Sequence, residues 1–480
     1  MDMRNKKLAE DEFFRERREV LAQWPTGKDV DLEEAIAFHK SLPPHKVYVH
    51  KLKHAKEHGE IYAITGMGKA TIEEQIDFLT YVEKEGQADL LGTSVDSFSR
   101  QNDYESAEKG IAESRKRGRS AINGLPLVNH GVAGFRKVIE AVNSPVSMRY
   151  GAADPRLIDE IGYAGGHTSG AADPLMNFWH HSSRVPLESV LSTHRYVHRL
   201  IGWYEEHGVP ICASCQGMYS AGISPSLQIA AILVQVIMMV EQGVRNMRLF
   251  FASHGNLAQD VSTGHVLLKL KGDYLKKLGY ADIEGFLSTG FMLVQYPLEA
   301  GAAFAVIFMN TLMAKLCGAQ INDIRTVAEA KGIPTKEDTA YSFRTAKAME
   351  NFLQSQEVEV DKKELEIETQ MAEREARSIV DRVLELGDGD VVVGIVKAVK
   401  SGALDNTFST NVASPRKVMS VKDATGAMRY LNHGNLPFTK DILDFHRSKI
   451  AEREKKKGKK LDYETLVSDL LAVSKGFLVE

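Results

Sequence analysis

Arg100 and Arg149 are the side chains of this sequence best suited to gripping an anion, because a guanidinium presents a planar fork of donors that matches a carboxylate or a phosphate. Each lies at or just beyond the end of a short β-rich run, where a salt bridge between loops is the competing explanation. Asn123, followed by Gly124, is either a turn device or an amide turned toward a ligand. The glycine-rich stretch 162–170 is either a flexible crossing loop or backbone that lets a large cofactor approach closely. His167, His180, His181 and Arg184 form a possible recognition group, set against the commoner role of clustered histidines in packing. Nucleophilic and metal chemistry find less support. No Ser–His–Asp spacing and no His-rich hydrolytic metal signature can be recognised. Cys212-Ala-Ser-Cys215 has no second cysteine pair to complete a structural zinc site, and with only three cysteines the expected state is reduced thiols. Gly66-Met-Gly68-Lys69 lacks the glycine spacing and the following Ser or Thr of a phosphate loop.

These residues need a scaffold, and the sequence supplies a repeating one. β-rich runs at 61–66, 88–100, 120–123, 146–151, 211–216, 247–254, 283–291 and 321–326 alternate with segments of helical length. Eight such units predict an α/β fold of the (β/α)8 TIM-barrel type, whose chemistry gathers at the carboxyl ends of the strands. Residues 1–58 read as a charged helical extension, 59–335 as the catalytic barrel, and 336–480 as a C-terminal α+β extension packed on it. The apolar stretch 229–240, opened by Ser224 and Pro225, is too short to span a bilayer and must be buried, either under another segment or at a subunit interface. Residues 302–316 have the same character. A net charge of −4 leaves no electrostatic footprint for nucleic acid, and the charged first residues contain no signal-peptide core, so a cytoplasmic protein without a membrane span is expected.

Whole segments add a more specific signal. Trp24-Pro-Thr-Gly-Lys28, Ser99-Arg-Gln-Asn102, Ala164-Gly-Gly166, Glu241-Gln-Gly-Val244, Gly332-Ile-Pro-Thr-Lys-Glu337, Gly434-Asn-Leu-Pro-Phe-Thr439 and Ala472-Val-Ser-Lys-Gly476 run in order through the chain. Together they resemble the large (epsilon) subunit of glutamate mutase, also called methylaspartate mutase. The resemblance implies a (β/α)8 barrel that forms a homodimer and uses adenosylcobalamin. The cofactor would be shared with a separate small subunit whose Asp-x-His-x-x-Gly motif ligates cobalt; that motif is absent here, so no metal ligand is expected in this chain. The implied chemistry is radical: an adenosyl radical takes a substrate hydrogen, the carbon skeleton rearranges, and the hydrogen returns. Carried over by position, Arg100, Arg149 and Tyr150 match substrate-binding residues. Gly68, Asn123, His180, Tyr296, Arg325, Glu329 and Ile333 match cofactor-side positions, with His180 replacing a proline and Arg325 a lysine.

The departures concern the substrate. Gly66 stands where the family has a third clamping arginine, Ala171 where it has a glutamate for the substrate ammonium, and Asn177 and His181 where it has tyrosines. Losing one cation and one anion while keeping two arginines implies a carboxylate-bearing substrate other than glutamate. Two alternatives stand beside this: a glutamate mutase that rebuilds its contacts with Lys69 or the His/Arg group, and a non-catalytic barrel serving as an assembly partner.

Overall fold

The structure is a computed structural model that describes residues 3–218 and 220–480. Its centre is an eight-stranded parallel sheet: β1 (Tyr62–Ile64), β2 (Leu91–Ser94), β3 (Val146–Arg149), β4 (Ser169–Ala171), β5 (Cys212–Gln216), β6 (Asn246–Ser253), β7 (Glu284–Phe291) and β8 (Ile321–Asp323). Neighbours in sequence are neighbours in space from β2 to β8, and β8 pairs with β1. The β1–β2 seam is closed only by the bridge between Met67 and Thr93, where Met67 N donates to Gly92 O at 2.8 Å and Ser94 N donates to Met67 O at 2.8 Å. Helices follow the strands and cover the outside, giving the expected (β/α)8 TIM-type barrel.

Two parts of the sequence reading are corrected here. Residues 120–123 form no strand; this segment reaches the sheet only through Leu125, which bridges Val95. The fourth strand is instead Ser169–Ala171, inside the stretch read as a glycine-rich loop. That stretch is packed core, not a cofactor approach. Gly162 lies in the helix Arg156–Ala164, where a Cβ would come within 2.1 Å of Met148 Sδ. Gly170 lies on β4, where a Cβ would come within 2.5 Å of Tyr163 Oη. The glycines there admit large neighbours.

The helix Pro225–Glu241 has Ser224 at its N-cap and Pro225 in its first turn, as expected, and residues 225–240 are all buried. It lies beneath the helices Lys362–Leu386 and Val391–Ser401, which decides between the two expectations for it in favour of a cover from its own chain. Ser226 Oγ donates to Glu375 Oε2 at 2.7 Å across that contact. The helix Ala300–Cys317, long and apolar enough to cross a membrane by length and composition, corrects the expectation of burial for 302–316: it packs one face on β7 and the helix Lys336–Leu353, but only 39% of it is buried and Phe308 is exposed. The antiparallel pair β9 (Met419–Lys422) and β10 (Met428–Asn432) belongs to the C-terminal segment. Arg429 on β10 bridges Glu368 and Asp423, tying that segment to the helix Lys362–Leu386. At the other end, the helix Glu10–Leu21 is fastened by Arg17, whose Nε donates to the buried Glu160 at 3.0 Å.

Candidate active site

The carboxyl ends of the strands enclose a cavity of about 180 Å³. Ser94 ends β2, and a single turn, Ser99–Gln101, carries Arg100 back over it. That turn is shaped by Asp96, whose Oδ1 accepts from the backbone N–H groups of Phe98 and Ser99 at 2.9 and 3.1 Å. Arg149 ends β3, followed by Tyr150 and Gly151; Ala171 ends β4; Ser214 and Gln216 come from β5, and Arg325 follows β8. His181, at the end of the helix Pro174–His181, lies across Gly151. A Cβ on Gly151 would meet the His181 ring within 2.2 Å, so the missing side chain makes room for the imidazole.

Of the substrate-side residues expected from sequence, Gly66, Arg100, Arg149, Tyr150, Ala171 and His181 line this cavity, and Arg325 joins them from the cofactor-side set. Tyr150 contributes its ring, while its hydroxyl donates to Asp159 at 2.6 Å and lies 3.0 Å from the Ala171 carbonyl. The other expected residues stand elsewhere. Asn177 is fully buried, donating to Asp173 O and lying 3.0 Å from His194 Nε2, because its place in the helix turns it into the core. His180 faces the C-terminal segment, 3.2 Å from Asn406 Nδ2. His167 is stacked on Phe135 with ring centroids 3.8 Å apart, which makes it a packing residue. Lys69 sits over the Phe78 ring, 4.8 Å from its centroid, and is not part of the cavity wall. Of the group His167, His180, His181 and Arg184, only His181 reaches the cavity.

Gly68, Asn123, Tyr296, Glu329 and Ile333 lie outside the cavity wall, on segments that follow β1, β2, β7 and β8. Gly68 is needed for close approach: a Cβ there would lie 2.5 Å from Gly124 Cα and 2.6 Å from Ser94 O. Asn123 is exposed, and Ile333 is 64% exposed. Tyr296 donates its hydroxyl to Phe291 O at 3.1 Å. Glu329 pairs with Arg325 at 3.6 Å.

The sequence reading missed two charged residues. Arg248 on β6 and Asp323 on β8 are buried inside the barrel and pair with each other, and Arg149 Nη2 reaches the same Asp323 at 2.8 Å. The signal was Arg248 as the one charged side chain on the strand Asn246–Ser253, which burial makes costly without a partner; Asp323, beside Asn322 and Arg325, gave none. Burial pushes the Asp323 carboxyl up, but Arg248 and Arg149 outweigh it and hold it below the ordinary carboxylate value. Four guanidinium groups, those of Arg100, Arg149, Arg248 and Arg325, therefore line the cavity, and no carboxylate does. Burial lowers the affinity of Arg100 and Arg325 for their protons, with Asp96 and Glu329 respectively acting in the opposite sense. An anionic ligand would remove this tension.

The comparisons with known proteins agree with the sequence resemblance. The family described as methylaspartate mutase E chain (MutE) matches residues 42–480. The chain belongs to this family. Glutamate mutase epsilon subunits from Desulfitobacterium hafniense and Treponema denticola are each 39% identical, covering 100% of this chain and 99% of the relative. That of Escherichia coli O157:H7 is 35% identical over the same shares. As a member of the methylaspartate mutase E chain family, the chain is the large-subunit type of a mutase. Its two Cys-Ala-Ser-Cys thiols are buried and free, Cys212 pushed up to about 12 by burial and Cys215 also raised, so they are inert in this barrel.

The histidines around the site give a pH prediction. Burial lowers His180, His181 and His194 to about 4, and His198 and His254 to about 3. Arg100 adds to the effect on His181. These rings take up protons in the unfolded chain below its ordinary value of about 6.5 but stay neutral in the folded one. The contribution of the buried His194, His198 and His254 is therefore complete above about 6.5 and is lost as pH falls toward 4, by up to about 1.4 kcal/mol per pH unit for each ring, while the exposed His181, screened by solvent, adds little. Urea unfolding followed from pH 7.5 to 4.5 is expected to show stability falling steeply below about 6.5; a flat profile would mean that these rings are solvated.

Proposed function

We propose that this chain is the large subunit of an adenosylcobalamin-dependent carbon-skeleton mutase that acts by a radical mechanism on a carboxylate substrate other than glutamate. The observation that carries this reading is a cavity at the strand ends, lined by four arginines and by Ala171 instead of an acid, in a chain of the mutase family. Bound adenosylcobalamin would supply the adenosyl radical that removes and returns a substrate hydrogen. The chain's own residues would hold the substrate: Arg100 and Arg149 by its carboxylates, with Tyr150 as part of the wall. Gly66, Ala171 and His181 would shape the region that differs from glutamate-binding relatives.

The rim is chemically suited to the cofactor. The Glu329 carboxylate is partly exposed and fits ribose hydroxyls, with Arg325 paired to it and Tyr296 close enough to feel its charge, while Asn123 offers a donor beside Gly124, against which Gly68 packs. Ile333, with the exposed Val294 and Leu298, provides apolar surface on the segments after β8 and β7. The cobalt ligand would come from a small subunit, because this chain lacks the Asp-x-His-x-x-Gly motif. The proposal includes a homodimer acting in the cytoplasm, with residues 59–335 holding the chemistry and the segments 1–58 and 336–480 supporting them.

Purified alone, the chain is expected to come off dialysis colourless after exposure to cobalamin. Mixed with a small subunit carrying Asp-x-His-x-x-Gly, it is expected to retain cobalamin and to turn over a carboxylic acid. Stable, stoichiometric retention by this chain alone would overturn the two-subunit reading. No turnover of any acid by the complex would overturn the catalytic one.

A further inference from the structure

Arg149, Arg248 and Asp323 form one charge relay in the barrel, and its two arginines line the cavity. Asp323 divides its carboxylate. Oδ1 accepts from Arg149 Nη2 at 2.8 Å, while Oδ2 accepts from Arg248 Nη2 and from Ser288 Oγ, the latter at 2.7 Å. Arg248 Nε also donates to Ser288 Oγ at 3.1 Å, so two nitrogens of Arg248 are engaged within the wall. The strand end that carries Asp323 is itself anchored. Asn310 Nδ2 donates to Asp323 O at 2.9 Å, and Asn322 Nδ2 donates to Thr311 Oγ1 at 2.8 Å. Both contacts tie β8 to the helix Ala300–Cys317. Arg149 Nη1, on a side chain that lines the cavity, is buried and meets no protein partner.

The geometry points to Asp323 as a positioning residue: it pins Arg149 by one nitrogen so that Nη1 faces a ligand carboxylate oxygen, while Arg248 balances its charge. A buried donor without a partner is costly, and a rigidly held one loses little freedom when a ligand supplies the acceptor. Asp323 therefore acts through Arg149 without touching the ligand. This inference rests on the cavity being a carboxylate site.

The test measures binding of glutarate and of its monoamide, glutaramate, to the purified chain by isothermal titration. Two variants separate position from charge. Asp323→Glu keeps the charge but moves the carboxylate by one methylene. Asp323→Asn keeps the shape of the side chain but removes the charge of the anchor. Wild type is expected to prefer glutarate to glutaramate by about tenfold or more, as a charge-assisted contact implies. Both variants are expected to lose that preference, with glutarate weakened at least about tenfold and glutaramate nearly unchanged. A generally loosened fold would weaken both ligands together and leave the ratio, which would overturn the positioning role. Wild-type affinity and preference in either variant, checked as folded by circular dichroism, would overturn it too. Wild type that binds neither compound would remove the carboxylate-site reading and this inference with it.

Discussion

Arg149→Lys is expected to lower kcat/KM for the acid substrate by about one to two orders of magnitude in the reconstituted complex, with little change in folding. An ammonium keeps the positive charge beside Asp323, so the buried carboxylate is not stranded and the core survives. What is lost is the fork. Lysine has one nitrogen, and if it answers Asp323 it has nothing left in the place of Arg149 Nη1, which meets no partner in the protein. Loss of a charge-assisted hydrogen bond costs about 1.5–3 kcal/mol, which sets the expected range. Arg100→Lys is a useful contrast. Arg100 is held only by a long contact from its Nε to the Asp96 carbonyl at 3.3 Å, so its variant tests ligand contact without a protein anchor. Full activity of Arg149→Lys would show that this arginine serves the barrel alone.

The barrel was legible in the sequence wherever a strand carried β-branched or aromatic residues and ended in a polar one. Asn246–Ser253 is such a strand, and Glu284–Phe291 was legible by its aromatic and β-branched residues alone. The reading failed where packing overrides propensity. Ser169–Ala171 contains nothing that favours a strand, and it is one because Gly170 lets Tyr163 lie against it. Residues 120–123 include an isoleucine and end in Asn-Gly, yet the sheet accepts only Leu125 from that segment. The site shows the same division. The residues proposed for the cofactor lie on segments that follow the strands, and only family resemblance singles them out. The relay of Arg248 with Asp323 joins residues 75 apart on different strands, and no local spacing encodes it. Asn177 and His180 illustrate the converse. Asn177 lies one turn before His181 on the same short helix, a spacing that predicts a shared face, yet Asn177 enters the core beside His194 and His180 meets Asn406, tertiary contacts that no helix period encodes.

L-Glutamate is expected to be a poor substrate, and two substitutions are expected to make it a better one. In the cavity an ammonium group would stand among four guanidinium groups with no acid on the wall, since Ala171 supplies none and Asp323 is engaged by Arg149 and Arg248. Leaving a buried ion without its partner costs about 3–5 kcal/mol, which corresponds to roughly two to four orders of magnitude in kcat/KM against an amine-free acid of similar size. Ala171→Glu restores the acid at the end of β4. Alone, however, that carboxylate would compete with the substrate for Arg100 and Arg149. Gly66→Arg supplies the balancing cation, and the backbone admits it: Gly66 is exposed, and the nearest obstacle to a Cβ is Ser94 Oγ at 2.4 Å, a side-chain atom that can rotate away. The double variant is therefore expected to raise turnover of glutamate relative to hydroxy, oxo and unsubstituted dicarboxylic acids, whereas Gly66→Arg alone, which adds a fifth cation, is expected to raise it little. The measurement is conversion of glutamate to 3-methylaspartate by the complex, run beside that panel of acids. Wild-type turnover of glutamate as fast as every other acid would sink the altered-substrate reading, because it would mean that the four arginines and Ala171 tolerate an ammonium group without a counter-ion.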